Sequence, residues 1–295
     1  MGIALIVTDR DSTELAKALA EHLPETSIQV WPDLPEPDAV HLAILWKQPP
    51  EILQDMPHLK AVSSLGAGVD FIEDDVSVPK HLPIHKIVTP RLQQEMAQYV
   101  AAYILQHYRQ VELYKDQQKI SQWHVHELPM QPKVGLLGLG EIAEYVADVL
   151  SRLGFSVQAY TKSSRHDTIK THHGMEGLHR VLTDSDYVVN LLPLNVETRD
   201  ILNAKHLAWC QRQPLLINAG RGGHVVEQDL IEAIDSGVIS SAVLDVFVEE
   251  PLPRDHAFWK HSKITISPHN AARSDTCETA AVITQLYRSL MSTNR

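Results

Sequence analysis

The sequence predicts an α/β protein with two parallel-sheet domains. Three observations carry this expectation. The 295 residues exceed the usual span of one hydrophobic core. Short apolar runs alternate with helical patterns, as they do where helices cover a parallel sheet. A second strand–helix series opens at Val134, after a loop carrying two prolines, Pro129 and Pro132.

In the first third, Ile3 to Val7 reads as a strand and Ser12 to His22 as a helix, with Ser12 or Asp11 as its cap. Ile28 to Trp31, Ala39 to Leu45 and Ala61 to Ser64 read as further strands. From 91 to 120, Met96, Val100, Tyr103, Ile104, Tyr108 and Val111 recur at helical steps. One long amphipathic helix is expected there, able to carry the chain from one domain to the next. Trp123 to Pro132 is expected as a surface loop. Then follow a strand at Val134 to Leu137, a helix at Glu141 to Leu153 and a strand at Ser156 to Tyr160. Later strands fall at Tyr187 to Leu192, Leu215 to Ala219, Ser241 to Asp245 and Ile264 to Ser267. The tail from Ala272 to Met291 is helical and is placed to cross back and complete the first domain. The expected division is residues 1–97 with 272–295 against residues 98–271.

The bulk composition narrows the function. Hydrophobic residues make up 44% and charged residues 21%, a globular balance. The formal net charge of -11 repels nucleic acid and anionic membranes, so neither is an expected partner. An anionic substrate would need a local site built from cations and backbone N–H groups. Cys210 and Cys277 lie far apart and in no ligand spacing, which suits a reducing, cytoplasmic location and no metal. The apolar stretch Met1 to Val7 is short and runs into Thr8-Asp9-Arg10-Asp11, so it reads as a buried strand and not as a signal peptide.

Gly138-Leu139-Gly140-Glu141-Ile142-Ala143 fits GxGxxG/A between an apolar strand and a helix. Gly138 permits the tight turn, Gly140 lets backbone approach a pyrophosphate, and Ala143 lets helix pack on strand. Free N–H groups at the helix start would then face the anion. The next strand ends at Tyr160, where a site for NAD usually places an acid. Here stand Thr161-Lys162-Ser163-Ser164-Arg165, with no acid before Asp167. Two cations and three hydroxyls suit a 2′-phosphate, so NADPH is expected in preference to NADH. A solvated basic turn would carry the same residues.

Taken together, five motifs in order resemble the D-isomer-specific 2-hydroxyacid dehydrogenase family, and most closely its glyoxylate/hydroxypyruvate reductase branch. They are Leu65-Gly66-Ala67-Gly68-Val69-Asp70, the glycine loop, Ile217-Asn218-Ala219-Gly220-Arg221-Gly222, Leu244-Asp245-Val246-Phe247 with Glu250-Pro251, and Ser267-Pro268-His269. The resemblance implies two Rossmann-like, doubly wound domains flanking an interdomain cleft, and a homodimer. It implies an NAD(P)-dependent enzyme reducing a small 2-oxo acid. By motif, Arg221 resembles the substrate-binding arginine, His269 the acid–base histidine and Glu250 its carboxylate partner. Asp245 would face the nicotinamide carboxamide. Leu192-Pro193 and Ala219 would lie along the cofactor with Leu139, Glu141 and Ile142. Gly66, Ala67 and Gly68 would offer backbone N–H groups to the substrate carboxylate, with Trp46-Lys47 as another substrate loop. The chain departs from the family pattern at Thr89-Pro90-Arg91-Leu92 and at Gln98, which bears on substrate choice. A dinucleotide sensor or corepressor on the same fold, or a formate or phosphoglycerate dehydrogenase, would share much of this pattern.

Overall fold

The computed structural model describes residues 1–162 and 166–292. The chain divides into two units: Met1–Leu92 with Ser274–Arg295, and Gln93–Arg273.

The first unit is built on a five-stranded sheet of order β2-β1-β3-β4-β5, all parallel. Its strands are β1 (Gly2–Val7), β2 (Ser27–Val30), β3 (Val40–Trp46), β4 (Ala61–Ser64) and β5 (Ile84–His85). A parallel strand covered on both faces must be apolar throughout, and β1, buried at every position, is. β5 has only two residues, too few to show any periodicity. Helix α1 (Thr13–His22) starts on Asp11: its Oδ1 accepts from Thr13 N at 2.9 Å, while Ser12 makes no side-chain cap bond. The short α2 (Asp70–Glu73) follows β4.

The C-terminal helix α9 (Thr276–Ser292) belongs to this unit. It begins later than the expected Ala272, where Asp275 Oδ1 accepts from Cys277 N and Glu278 N at 2.9 and 3.0 Å. Its Ala280, Ile283 and Tyr287 share a core with Ile3, Leu5, Leu15 and Leu19. Arg288 donates to His22 O at 3.0 Å, meeting a carbonyl at the end of α1.

The second unit carries seven parallel strands in the order β12-β11-β10-β9-β6-β7-β8. They are β6 (Lys133–Leu137), β7 (Ser156–Tyr160), β8 (Lys170–His172), β9 (Tyr187–Asn190), β10 (Leu215–Asn218), β11 (Ser241–Leu244) and β12 (Ile264–Ile266). Chain order reverses between β6 and β9, and in such sheets ligands bind beyond the carboxyl ends at the reversal. Helices α5 (Glu141–Arg152), α6 (Gly174–Asp184), α7 (Ala204–Leu207) and α8 (Glu227–Asp235) connect the strands. Gly135 lets α6 close on β6, since a Cβ there would overlap Ser185 Oγ.

The single helix expected over 91–120 is two: α3 (Pro90–Tyr108) and α4 (Val111–Lys119). Gln110 between them takes φ +55, a left-handed conformation that ends an α-helix. The cause is where burial stops. Met96, Ala97, Val100, Ala101 and Ile104 pack on the sheet, whereas Gln117 alone is buried in α4. The loop from Trp123 to Pro132 is largely exposed.

Ile283 is fully buried where α9 meets α1 and the sheet. Ile283→Ala is expected to cost about 2–5 kcal/mol, read as a lower urea midpoint for loss of the unit's secondary structure.

Candidate active site

The turn after β6 lies where the sheet reverses. Gly138 has φ +98, and its N–H donates to Tyr160 O at 2.8 Å. A Cβ on it would stand 2.9 Å from Leu191 O and 3.1 Å from Leu192 N, so only glycine lets the turn lie against the segment leaving β9. Gly140 differs: nothing lies within 4 Å of where its Cβ would be, and it is exposed. It caps α5 in an extended conformation, with no side-chain cap bond at that helix start. Open space before N–H groups of a 12-residue helix is what a pyrophosphate requires. Leu139 and Ala143 are buried in the core, so Leu139 has only backbone to offer there. Glu141 is exposed and Ile142 half-buried. The residues present therefore fit a dinucleotide.

At the end of β7 the arrangement is less open than expected. Thr161 is buried, its N–H donating to His172 O and its carbonyl accepting from His173 Nδ1. Pairing with the end of β8 draws it in, and its hydroxyl is not displayed. Lys162 is exposed and paired with Glu197, whose two carboxylate oxygens accept at 2.9 and 2.7 Å. Ser163 and Arg165, the other residues expected here, lie outside the described residues.

Arg221, Glu250 and His269 come from three loops beyond β10, β11 and β12. Gly222 sits against the Phe247 carbonyl, and any Cβ would overlap that backbone. This approach brings the arginine loop to the loop carrying Glu250. Behind Arg221 lies a buried frame. Asn190 donates to Asn218 Oδ1 at 2.8 Å and to His224 Nδ1 at 2.9 Å. His224 Nδ1 also accepts from Arg221 N at 3.2 Å, which leaves its Nε2–H to donate to Pro193 O at 3.3 Å. Arg221 Nη1 donates to Gly220 O at 2.9 Å. Ala219 is half-buried, its N–H on Asn190 O; Leu192 is buried and Pro193 exposed.

His269 Nδ1 meets Glu250 Oε2 at 2.8 Å, and Phe247 N donates to Glu250 Oε1 at 3.0 Å. Burial by itself would raise the Glu250 carboxyl. The bonds from His269 and Phe247, with the charges of His269 and Arg221, outweigh it and hold the carboxyl below its ordinary value. His269 remains 41% exposed at its side chain, open to a reactant. Its φ of +49 is uncommon for a residue with a Cβ. Asp245, only 2% exposed, turns its carboxylate to the His269 loop, accepting from Ser267 Oγ, Asn270 N and Ala271 N. The described bonds of the Asp245 carboxylate are thus to this loop.

In the first unit, Gly66 follows β4, its carbonyl accepting from Ile87 N at 2.9 Å. The Trp46 ring approaches within 3.5 Å of where a Gly66 Cβ would be. Trp46 Nε1 donates to Asp9 Oδ2 at 3.1 Å, and Arg10 lies 4.9 Å from the ring centroid. Ala67 and Gly68 are half-buried. Among the described residues no helix is long and apolar enough to cross a membrane, and no group of three His, Cys, Asp or Glu is arranged for a metal.

His224, Ser267 and Tyr99 were not legible as site residues. His224 is one of 17 histidines, and Tyr99 falls outside the apolar stripe that runs from Met96 to Val111.

A dinucleotide cradle, with an arginine and a carboxylate-paired histidine on neighbouring loops, defines a nicotinamide-dependent oxidoreductase. Comparison narrows the class. Residues 101–271 match the family model for the D-isomer specific 2-hydroxyacid dehydrogenase, NAD binding domain. The glyoxylate/hydroxypyruvate reductase A of Serratia proteamaculans is 33% identical over 270 residues, covering 89% of this chain and 86% of that protein. A D-isomer specific 2-hydroxyacid dehydrogenase from Xanthobacter autotrophicus, solved with NADPH and MES, superposes with a TM-score of 0.93 at 30% identity. That match covers 100% of this chain and 96% of the other. The NADPH-dependent glyoxylate/hydroxypyruvate reductase of Sinorhizobium meliloti, solved with NADP and sulfate, gives 0.88 at 31% identity over 99% and 95% of the two chains. The chain belongs to the D-isomer specific 2-hydroxyacid dehydrogenase family and is an NAD(P)-dependent 2-hydroxyacid dehydrogenase.

Gly222→Ala is expected to lower the melting temperature and abolish turnover together, because the new methyl group must displace the Phe247 backbone. Thermal melting with an activity assay on the same sample checks this.

Proposed function

We propose that the protein reduces small 2-oxo acids of the glyoxylate/hydroxypyruvate type to 2-hydroxy acids, using NADPH in preference to NADH. The observation that carries the reading is the 2.8 Å contact of His269 with Glu250, whose carboxyl also feels the Arg221 charge. The named relatives support the substrate class. Turnover of glyoxylate and hydroxypyruvate with NADPH, compared with NADH by kcat/KM, tests it. Equal or better use of NADH would overturn the cofactor preference, which rests on Lys162, Ser163 and Arg165.

In this reading Gly138, Leu139, Gly140, Glu141 and Ile142 hold the pyrophosphate at the start of α5, with Leu192, Pro193, Ala219 and Asp245 along the rest of the cofactor. When bound, the cofactor supplies hydride to the carbonyl carbon. Arg221 forks onto the carboxylate and carbonyl oxygen of the oxo acid and stabilises charge developing on that oxygen. His269 gives the oxygen its proton, and Glu250 orients the ring through its contact with Nδ1. In the first unit, Ala67 and Gly68 present backbone N–H groups to the carboxylate, beside Trp46, while the Gly66 N–H is held by Ser64 Oγ. The first unit is then the substrate domain and the second the dinucleotide domain. A sensor or corepressor would need only the cradle, and the paired Glu250 and His269 favour an enzyme.

A homodimer is part of the proposal. Ile120, Trp123, Val125 and Met130 in the second unit expose large apolar side chains, Trp123 at 98%. Light scattering at micromolar concentration should give twice the chain mass. The two free cysteines, Cys210 buried and Cys277 exposed, fit a reducing cytoplasm.

His269→Gln is expected to leave folding and NADPH binding intact and to slow reduction by roughly 10²–10⁴-fold. Glu250→Gln removes the charge that orients the His269 ring and is expected to lower kcat. The depressed Glu250 carboxyl fixes the sign of its effect on stability. Its contribution is complete above its ordinary value and is lost as pH falls through the depressed one. Steady-state kinetics and acid melting curves of wild type and Glu250→Gln measure both effects.

A further inference from the structure

We propose that Ser267 and Tyr99 are positioning residues for the proposed proton transfer, acting through Asp245 to hold the loop that presents His269. The inference rests on the reading of His269 as proton donor.

The geometry runs outward from the histidine. His269 has φ +49, a conformation uncommon for a residue with a side chain, which persists only where neighbours impose it. Asp245 imposes it. Its carbonyl accepts from His269 N at 2.9 Å. Its carboxylate accepts at 2.6 Å from Ser267 Oγ, at 2.9 Å from Asn270 N and at 3.0 Å from Ala271 N. The donors come from both sides of His269, so one buried carboxylate clasps the loop around it.

Ser267 is the one side-chain donor in that set. Its proton goes to Asp245, so its oxygen accepts from the Tyr99 hydroxyl, 2.6 Å away. Burial pushes the Tyr99 phenol up, so it keeps its proton and stays a donor. The Tyr103 ring stands edge-on to Tyr99 at 4.9 Å and limits its rotation. The result is a directed line of hydrogen bonds, Tyr99 to Ser267 to Asp245. It begins on α3, whose apolar face is packed in the core, and ends at the loop carrying His269.

Neither hydroxyl takes part in proton or hydride transfer in this scheme; each removes freedom from a group that does. Removing the Ser267 hydroxyl leaves the Asp245 carboxylate short of a donor in a site too buried for water to replace it freely. The cheapest relief is relaxation of the His269 backbone from its left-handed conformation. The imidazole would then point away from the oxygen it protonates, and a displacement of about 1 Å is enough to cost roughly 100-fold in rate.

The experiment is a double-mutant cycle on the full chain with NADPH and glyoxylate. Ser267→Ala is expected to lower kcat roughly 10- to 100-fold with the KM for NADPH unchanged. In the His269→Gln background the same substitution is expected to cost less than about twofold, because the group it positions is gone. Tyr99→Phe should follow the same pattern with a smaller loss; being nearly isosteric, it decides the matter if Ser267→Ala melts early. An equal fold loss in both backgrounds, or a loss expressed as a higher KM for NADPH, would overturn the inference. Failure of the underlying reading looks different: His269→Gln alone would then retain wild-type kcat.

Discussion

The approach of Gly222 to the Phe247 carbonyl is the constraint on which the assembly of the candidate site depends. Two loops, one leaving β10 and one leaving β11, meet backbone to backbone there, with no room for even a methyl group. Arg221 precedes that contact by one residue, and Glu250 follows Phe247 by three. Phe247 then donates its own N–H to Glu250, so the same backbone that receives Gly222 also sets the carboxylate. The arginine and the histidine thereby both act electrostatically on the carboxylate although they are far from it in sequence.

Parallel sheets make such meetings systematic. Every strand of the second unit ends on the same side, so the loops after β6, β9, β10, β11 and β12 gather at one edge. The fully buried asparagine at the end of β9 and the nearly buried one at the end of β10 tie neighbouring loops together at that edge. Through His224 the tie extends to the backbone of Arg221 and to Pro193. Polar groups buried so deeply must be satisfied by partners, and their mutual satisfaction leaves the loops few alternative arrangements.

Much of this was legible before any coordinate. The strands of both sheets announce themselves as apolar runs, because parallel strands covered on both faces have no polar side to show. The glycine loop was legible because Gly138 and Gly140 answer different needs, a left-handed turn and an open approach. Less visible were β5 and β8, two and three residues long, where no period can be counted. The break at Gln110 was hidden because the helical spacing of apolar residues runs through it to Val111. The pairing of Lys162 with Glu197 was hidden as well, because it comes from a loop 35 residues on.

The sequence by itself determined the α/β class, the place of the dinucleotide turn and the family to which the chain belongs. These are local matters: periodicity, glycine at obligatory positions, and motifs in fixed order. Only the tertiary structure decided that Asp245 clasps the histidine loop and that Tyr99 reaches it through Ser267. Each is a contact between segments separated by 22 to 168 residues. Such partners are chosen by three-dimensional packing and by the need to satisfy buried polar groups, and no local pattern along the chain records that choice.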